Sequence, residues 1–304
     1  MVHSKKVLIT GGNGMIGTRL TALLTALGYH VAHLRRSRKN APVETFLWNP
    51  ATNDIDARAF KDAGAVIHLA GAGIADKRWN RKRKNEILAS RAGTARLVRE
   101  TLEKEAHQVR LFISASGINY YGLSDPVRPF VESDPPGNDF MAEVTQAWER
   151  EADAFDSLGL RVIKIRTGVA LSLKSIALTR IAQPVKFFVG APLGTGRQFF
   201  NWIHIDDLCR IYIKAIEDSS MHGAYNAVAP TPVTNKDLTK EIARVLKKPL
   251  WLPPVPEFLV KLIAGEVAEV VLNGGKVSAD KIRNAGFDFQ FATLRSTLEE
   301  IYSE

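Results

Sequence analysis

KVLITGGNGMIGTRLTALLTAL, Lys6 to Leu27, decides the fold. Val7-Leu8-Ile9 is a short apolar run of the kind that forms a buried parallel strand. TGGNGMIG follows, with glycines at 11, 14 and 17. Leu20, Leu23, Leu24 and Leu27 then recur on one helical face, and Gly28 suits a helix stop. A glycine turn between a strand and a helix is the setting in which such a motif carries meaning. Gly11 permits the tight turn, Gly14 lets backbone approach a pyrophosphate, and Gly17 lets helix pack on strand. The helix N-terminus offers free N–H groups and a positive dipole end to phosphates. A plain connection would not require three helix-weakening glycines. The predicted cofactor loop is therefore Gly11, Asn13, Gly14, Met15, Ile16 and Gly17.

The second predicted strand, His30 to Leu34, runs into Arg35, Arg36 and Ser37. An NAD-preferring site usually places an acid here to bond the ribose 2′-hydroxyl. Two arginines and a serine instead suit a 2′-phosphate, through charge-assisted donors and a small hydroxyl. The expected cofactor is NADP(H), against the alternative of a solvated basic loop. His30 and His33 have ligand-like spacing but point to opposite faces of a strand, so no metal site is expected.

Further strands are predicted at Phe46–Trp48, Ala65–Gly71, Leu111–Ser116, Arg161–Arg166 and Ala224–Val228. The second ends in Leu69, Ala70 and Gly71, small enough for close approach by a ribose. His68 reads as a packed strand residue. Lys77 to Lys84, KRWNRKRK, reads as the solvated start of one long helix from Asn80 to Lys104, with an anion or nucleic-acid patch as the alternative. Arg91 in that helix is a reserve phosphate or ribose contact. Asp125 to Asp139 is a Pro- and Gly-rich loop, and Phe140 to Leu158 an amphipathic helix. Residues 172–197 read as a lid or substrate wall. Asp206-Asp207 are expected to cap a helix to Glu217, and Thr234 a helix to Leu246. Helices at Phe258–Ala264 and Val267–Leu272 precede a terminal tail.

Composition narrows the class. The chain has 304 residues, 45% of them apolar, and a net charge of +9. It lacks an apolar run of membrane-spanning length, so no membrane partner is expected. The N-terminus reads straight into the first strand, without a secretory signal. Cys209, the single cysteine, excludes an internal disulfide and fits a reducing, cytoplasmic setting. The basic balance favours anionic ligands; nucleic acid is not expected, since charge alone supports it. A homodimer is allowed but not specified.

The glycine spacing resembles the short-chain dehydrogenase/reductase superfamily. Longer blocks narrow it: HLAG at 68–71, RW at 78–79, SR at 90–91, YYG at 120–122, WE at 148–149, RTGVAL at 166–171, GTGRQFFNWIHIDDL at 194–208 and YNAVAP at 225–230. Together these resemble the atypical, extended, epimerase-like proteins of that superfamily, over essentially the whole chain. The resemblance implies an α/β fold: a Rossmann-type doubly wound parallel sheet with a smaller, discontinuous substrate-side domain. The domain would span 1–246, with substrate-side segments near 172–205 and 224–246, followed by a helical module at 247–304. Carried over by position, cofactor contacts would include Arg35, Arg36, Leu69, Ala70, Glu86, Arg91 and the backbone after Arg166. The implied activity is an oxidoreductase or epimerase on a small carbonyl or sugar-like substrate.

The usual catalytic pair of that superfamily is missing. A tyrosine with a lysine four residues on shares a helix face, and the ammonium lowers the phenol's pKa. No tyrosine here has that lysine, and the helix in question carries Phe140 and Val144 instead. Gly117 stands at the usual serine position. Ser116 and Tyr121, near a strand end, are the substitute catalytic candidates, with Glu143 as a possible base. The alternative is a catalytically degenerate NADP(H)-binding sensor or scaffold. No GxSxG or HExxH occurs, which removes the common hydrolase readings.

Overall fold

The computed structural model describes residues 4–124 and 127–303. Its centre is an eight-stranded sheet built from β1 (Lys6–Thr10), β2 (His30–Arg35), β3 (Glu44–Asn49), β4 (Asp54–Ile55), β5 (Ala65–His68), β6 (Leu111–Gly117), β7 (Arg161–Thr167) and, after the intervening short strands, β11 (Gly223–Ala227). The order is β11-β7-β6-β5-β1-β2-β3-β4, and every pair but β3–β4 is parallel. Strand order reverses at β1, which lies between β5 and β2. Ligands of open parallel sheets bind beyond the strands' carboxyl ends at such a switch point.

Alternation along the buried strands fills two cores. Val7, Ile9, Ile67, Ile113 and Ile165 face α1 (Met15–Ala26) and α6 (Ile205–Glu217). Leu8, Val66, Phe112 and Val162 face the opposite layer. That layer holds α2 (Arg81–Leu88), α3 (Thr94–Lys104) and α4 (Phe140–Asp153). A third core is shared by β8 (Val169–Leu171), α5 (Ile176–Lys186), β9 (Phe199–Phe200), β10 (Trp202–His204), β12 (Val233–Thr234) and α7 (Asn235–Val245). Beyond them lie α8 (Glu257–Ala264), α9 (Val267–Leu272), α10 (Asp280–Asn284) and α11 (Leu294–Ser303). Among the described residues no helix is long and apolar enough to cross a membrane.

Several expectations are corrected. The predicted tail contains α10 and α11, and α11 buries Leu294, Leu298 and Ile301 in the third core. The helix from Asn80 is not uniform, because Ala89–Gly93 forms a π-turn between α2 and α3. β5 stops at His68, so Leu69–Gly71 are loop residues. His204, not the Asp pair, caps α6, its side chain accepting from the Asp206 N–H. Asp206 instead takes two hydrogen bonds from Arg19 at 2.6 Å. Asp207 is fully buried and accepts the backbone N–H groups of Gln290 and Phe291 at 3.0 and 2.9 Å, tying the C-terminal segment to α6. The first two residues of the predicted 125–139 loop lie outside the described residues.

The basic run 77–84 is not simply solvated. Arg78 donates to the Leu262 and Ile263 carbonyls at the end of α8, and Lys84 pairs with Glu266. Guanidinium at a helix C-terminus satisfies orphan carbonyls and opposes the negative dipole end.

Candidate functional site

The glycine turn closes on itself. Gly11 has φ +68°, the left-handed region, and a Cβ there would sit 2.8 Å from the Leu69 carbonyl carbon. A Cβ at Gly17 would lie 2.6 Å from the Gly11 oxygen. Gly14 is the N-cap of α1, its N–H bonded to the Gly11 carbonyl at 3.0 Å, and no side chain caps the helix. The first turn contains no acid and no side chain of the described residues caps it, so the Met15, Ile16 and Gly17 N–H groups are open to an anion. Asn13 projects from the turn, exposed.

Two buried histidines brace this turn. The His33 ring lies directly beneath Gly12, where a Cβ would approach within 2.5 Å, and it bonds Thr21 at 2.8 Å. His68 links Thr10 at 2.9 Å to Thr94 at 3.1 Å. Burial pulls both rings down to about 4, so both are neutral near pH 7. His33 thereby occupies the space that a side chain at position 12 would need, a reason for glycine that the motif spacing does not reveal.

β2 pairs with β1 through Thr10↔Leu34, which sets Arg35 beside Gly11. Arg35 is half-buried and reaches only the Lys39 and Asn40 carbonyls, both at 3.4 Å; Arg36 and Ser37 are exposed. On the other side of β1, Thr10↔His68 places Leu69, Ala70 and Gly71 at the turn. The π-turn grips this loop: Ser90 Oγ accepts from the Ala72 N–H at 2.9 Å, and the Arg91 guanidinium lies 3.2 Å from where a Gly71 Cβ would be.

Arg91 is 8% exposed, lies 5.3 Å from the Trp148 ring centroid, and donates to the Ile87 carbonyl at 3.1 Å. No carboxylate pairs with it among the described residues; burial and the nearby Arg83 lower its pKa to about 10. The Trp148 indole N–H beside it is also buried without a partner. A buried, unpaired cation is costly unless an anion or polar group joins it. Glu86 does not fill that role: it is exposed, and Arg83 holds it at 2.7 Å.

The region beyond β6 and β7 is the opposite case. Register places Ser116, Arg166 and Asn226 side by side across β6, β7 and β11. Glu149 on α4 receives Arg166 through two 2.8 Å bonds and Ser116 Oγ at 2.6 Å. Arg166 also donates to Tyr121 Oη at 3.0 Å, and Tyr121 donates to Asn226 Oδ1 at 2.7 Å. The Tyr120 ring covers the guanidinium at 3.4 Å. Burial works against the Arg166 charge, but the bonds and charge of Glu149 outweigh it and raise the pKa. Burial likewise pushes the Tyr121 phenol up to about 12, against the opposing pull of Arg166.

The structure therefore gathers Gly11–Gly17, Arg35, Arg36, Ser37, Leu69–Gly71 and Arg91 around one strand end. It gathers Ser116, Tyr121 and Arg166 in a second cluster, buried and mutually bonded. Glu86 and Glu143 stand on exposed helix faces. Phe140 packs edge-on against Trp79 at 5.0 Å, and Val144 is buried. Sequence reasoning did not assign site roles to Glu149, Asn226 or Trp148. The signal for the first was present: a glutamate on the apolar face of α4, one residue from Trp148.

Residues 7–227 match the model of the NAD dependent epimerase/dehydratase family, and residues 255–301 match a domain of unknown function, DUF1731. The epimerase family protein YfhF of Bacillus subtilis is 32% identical over 300 residues, covering 98% of each chain. The chloroplastic SDR39U1 homologue of Arabidopsis thaliana is 34% identical over 302 residues, covering 97% of this chain and 86% of that one. The human epimerase family protein SDR39U1, crystallised with NADPH, superposes with a TM-score of 0.87 at 31% identity, covering 98% of this chain and 99% of that one. With its glycine turn, switch point and C-terminal helices, this chain belongs to the NAD dependent epimerase/dehydratase family.

Proposed function

We propose that this chain binds NADP(H) in preference to NAD(H) and uses it on a small carbonyl or sugar-like substrate. The observation that carries the cofactor choice is the end of β2. Arg35 and Arg36 stand beside Gly11 with no carboxylate between them, where a ribose 2′-phosphate would lie. The pyrophosphate would rest on the Gly11–Gly17 turn, and the Gly71 backbone with Arg91 and Trp148 behind it would take polar groups of the nucleotide. Support also comes from the human relative crystallised with NADPH. When bound, the nicotinamide supplies a hydride donor or acceptor.

The chain's own contribution to proton transfer is non-standard. Tyr121 is 2% exposed and its hydroxyl is committed to Asn226 and Arg166. A phenol pushed up to about 12 holds its proton at pH 7. The Ser116 hydroxyl donates its hydrogen bond to a Glu149 already occupied by Arg166. In this reading the two residues shape the end of β6, and the proton comes from solvent or from the substrate itself. The saturated network also favours a second reading, an NADP(H)-binding sensor or scaffold without turnover.

Calorimetric titration with NADPH and NADH tests the cofactor reading. NADPH is expected to bind at least about tenfold tighter, with the preference removed in R35A/R36A. Equal affinity for both would overturn it. Turnover of NADPH across a carbonyl and sugar-nucleotide panel separates the two readings; its complete absence leaves the sensor.

A further inference from the structure

The ends of α5 and α7 carry an oddity. Each helix closes with a non-glycine residue in the left-handed region, Phe188 at φ 65° and Lys247 at φ 53°. The cap bonds are the same in both: Val189 N–H to the Pro184 carbonyl at 2.9 Å, and Lys248 N–H to the Ala243 carbonyl at 2.8 Å. Glycine normally takes this position because a side chain there is strained. Phe188 bears that strain while its ring stays 48% exposed, so burial does not offset it.

The two cap loops touch. Trp251 Nε1 donates to the Phe188 carbonyl at 2.9 Å, and Lys248 Nζ lies 4.2 Å from the Phe188 ring centroid. Around them Phe187 is 70% exposed, Val189 52% and Trp251 67%. The strand-like bridge Leu193↔Val255 continues this surface towards α8. There Phe258, Leu262 and Ile263 are exposed and only Val260 is buried.

These loops are themselves basic, and Glu299 of α11 lines the same surface hollow as Lys247. The sequence has no acidic residue between Asp156 and Asp206, nor between Glu241 and Glu257, whereas Lys186, Lys247 and Lys248 sit in the caps. A two-fold contact centred on this face would crowd the lysines of both copies together, which opposes self-association through it. Aromatic rings flanked by lysines are instead the composition of surfaces that lie in the headgroup layer of anionic lipid. Lysine stems run along apolar surface while their ammonium groups reach phosphates.

We propose that the Lys186–Val189 and Lys247–Trp251 loops dock this protein peripherally on an anionic lipid surface. Phe187, Val189 and Trp251 enter the boundary between headgroups and acyl chains, and the lysines meet the phosphates. That no described helix is long and apolar enough to cross a membrane is compatible with this, because the contact is superficial.

The test is co-sedimentation of the full-length protein with vesicles of phosphatidylcholine alone, or with about one-third phosphatidylglycerol. Binding is expected only to the anionic vesicles, weakening in high salt. K247E/K248E and F187S/V189S are each expected to lower the partition coefficient about tenfold. Melting temperatures of these variants, followed by circular dichroism, should stay within a few degrees of the parent. Failure to bind anionic vesicles, equal binding to neutral ones, or unchanged binding by both variants would overturn the proposal. So would light scattering that shows a dimer dispersed by F187S/V189S, which would give the face to a second copy.

Discussion

Two groups of arginine lie towards the carboxyl end of one sheet, and they differ in the partners that meet their charge. Arg166 is 3% exposed and fully engaged by Glu149, Tyr121 and the Glu132 carbonyl. Arg91 is about as deep, yet no acid pairs with it among the described residues, and Arg35 reaches only backbone carbonyls. A saturated buried ion pair fixes geometry. A buried cation without a carboxylate is stabilised when an anionic group joins it. That contrast underlies the proposed reading, with Arg166 in the scaffold and Arg91 beside the ligand.

The largest expected effect comes from breaking the saturated side. Glu149→Ala would leave Arg166 charged, buried and unpaired, and chemical denaturation should show a loss of about 3–5 kcal/mol. A loss below about 1 kcal/mol would mean that the network is not the brace described here.

Acid should act next, on the braces beneath the open side. His33 and His68 have folded pKa values near 4 against 6.5 in the unfolded chain, so the unfolded state binds more protons between these values. Their contribution is complete above pH 6.5 and falls as pH drops, by up to about 1.4 kcal/mol per pH unit for each ring. Denaturation midpoints from pH 7 to 5 measure this. H68Q should flatten the slope by about half.

Arg91→Met gives the sharpest contrast with Glu149→Ala. Removing an unpaired buried charge should leave stability equal or raised, while NADPH affinity falls about tenfold to a hundredfold. Loss of stability with unchanged affinity would place Arg91 with the scaffold. Smallest is Tyr121→Phe, which leaves Asn226 Oδ1 and Arg166 each short of one partner. About 1–2 kcal/mol of stability should go, with the affinity for NADPH unchanged.

Much of the fold was legible in local pattern. Strand, glycine turn and helix at 6–27 follow from apolar period and glycine placement, as do Thr234 capping α7 and the buried strands at 65 and 111. The misreadings share a cause. α10 and α11 carry short apolar periods whose partners lie far away in α6 and the third core, so the segment looked like a tail. The basic run 77–84 looked solvated because its partners, the end of α8 and Glu266, are some 180 positions on.

Alone, the sequence determined the strand, glycine turn and helix at the N-terminal end of the fold and the lack of a Tyr–Lys pair, since each depends on residues within a few positions. Only the tertiary structure decided which polar groups are satisfied. Arg91 in the π-turn and Arg166 in β7 are the same residue type, and nothing local says which of them meets a carboxylate. Whether a buried charge meets a carboxylate depends on which distant helix packs over it, and that is fixed by the sheet's register and by α4.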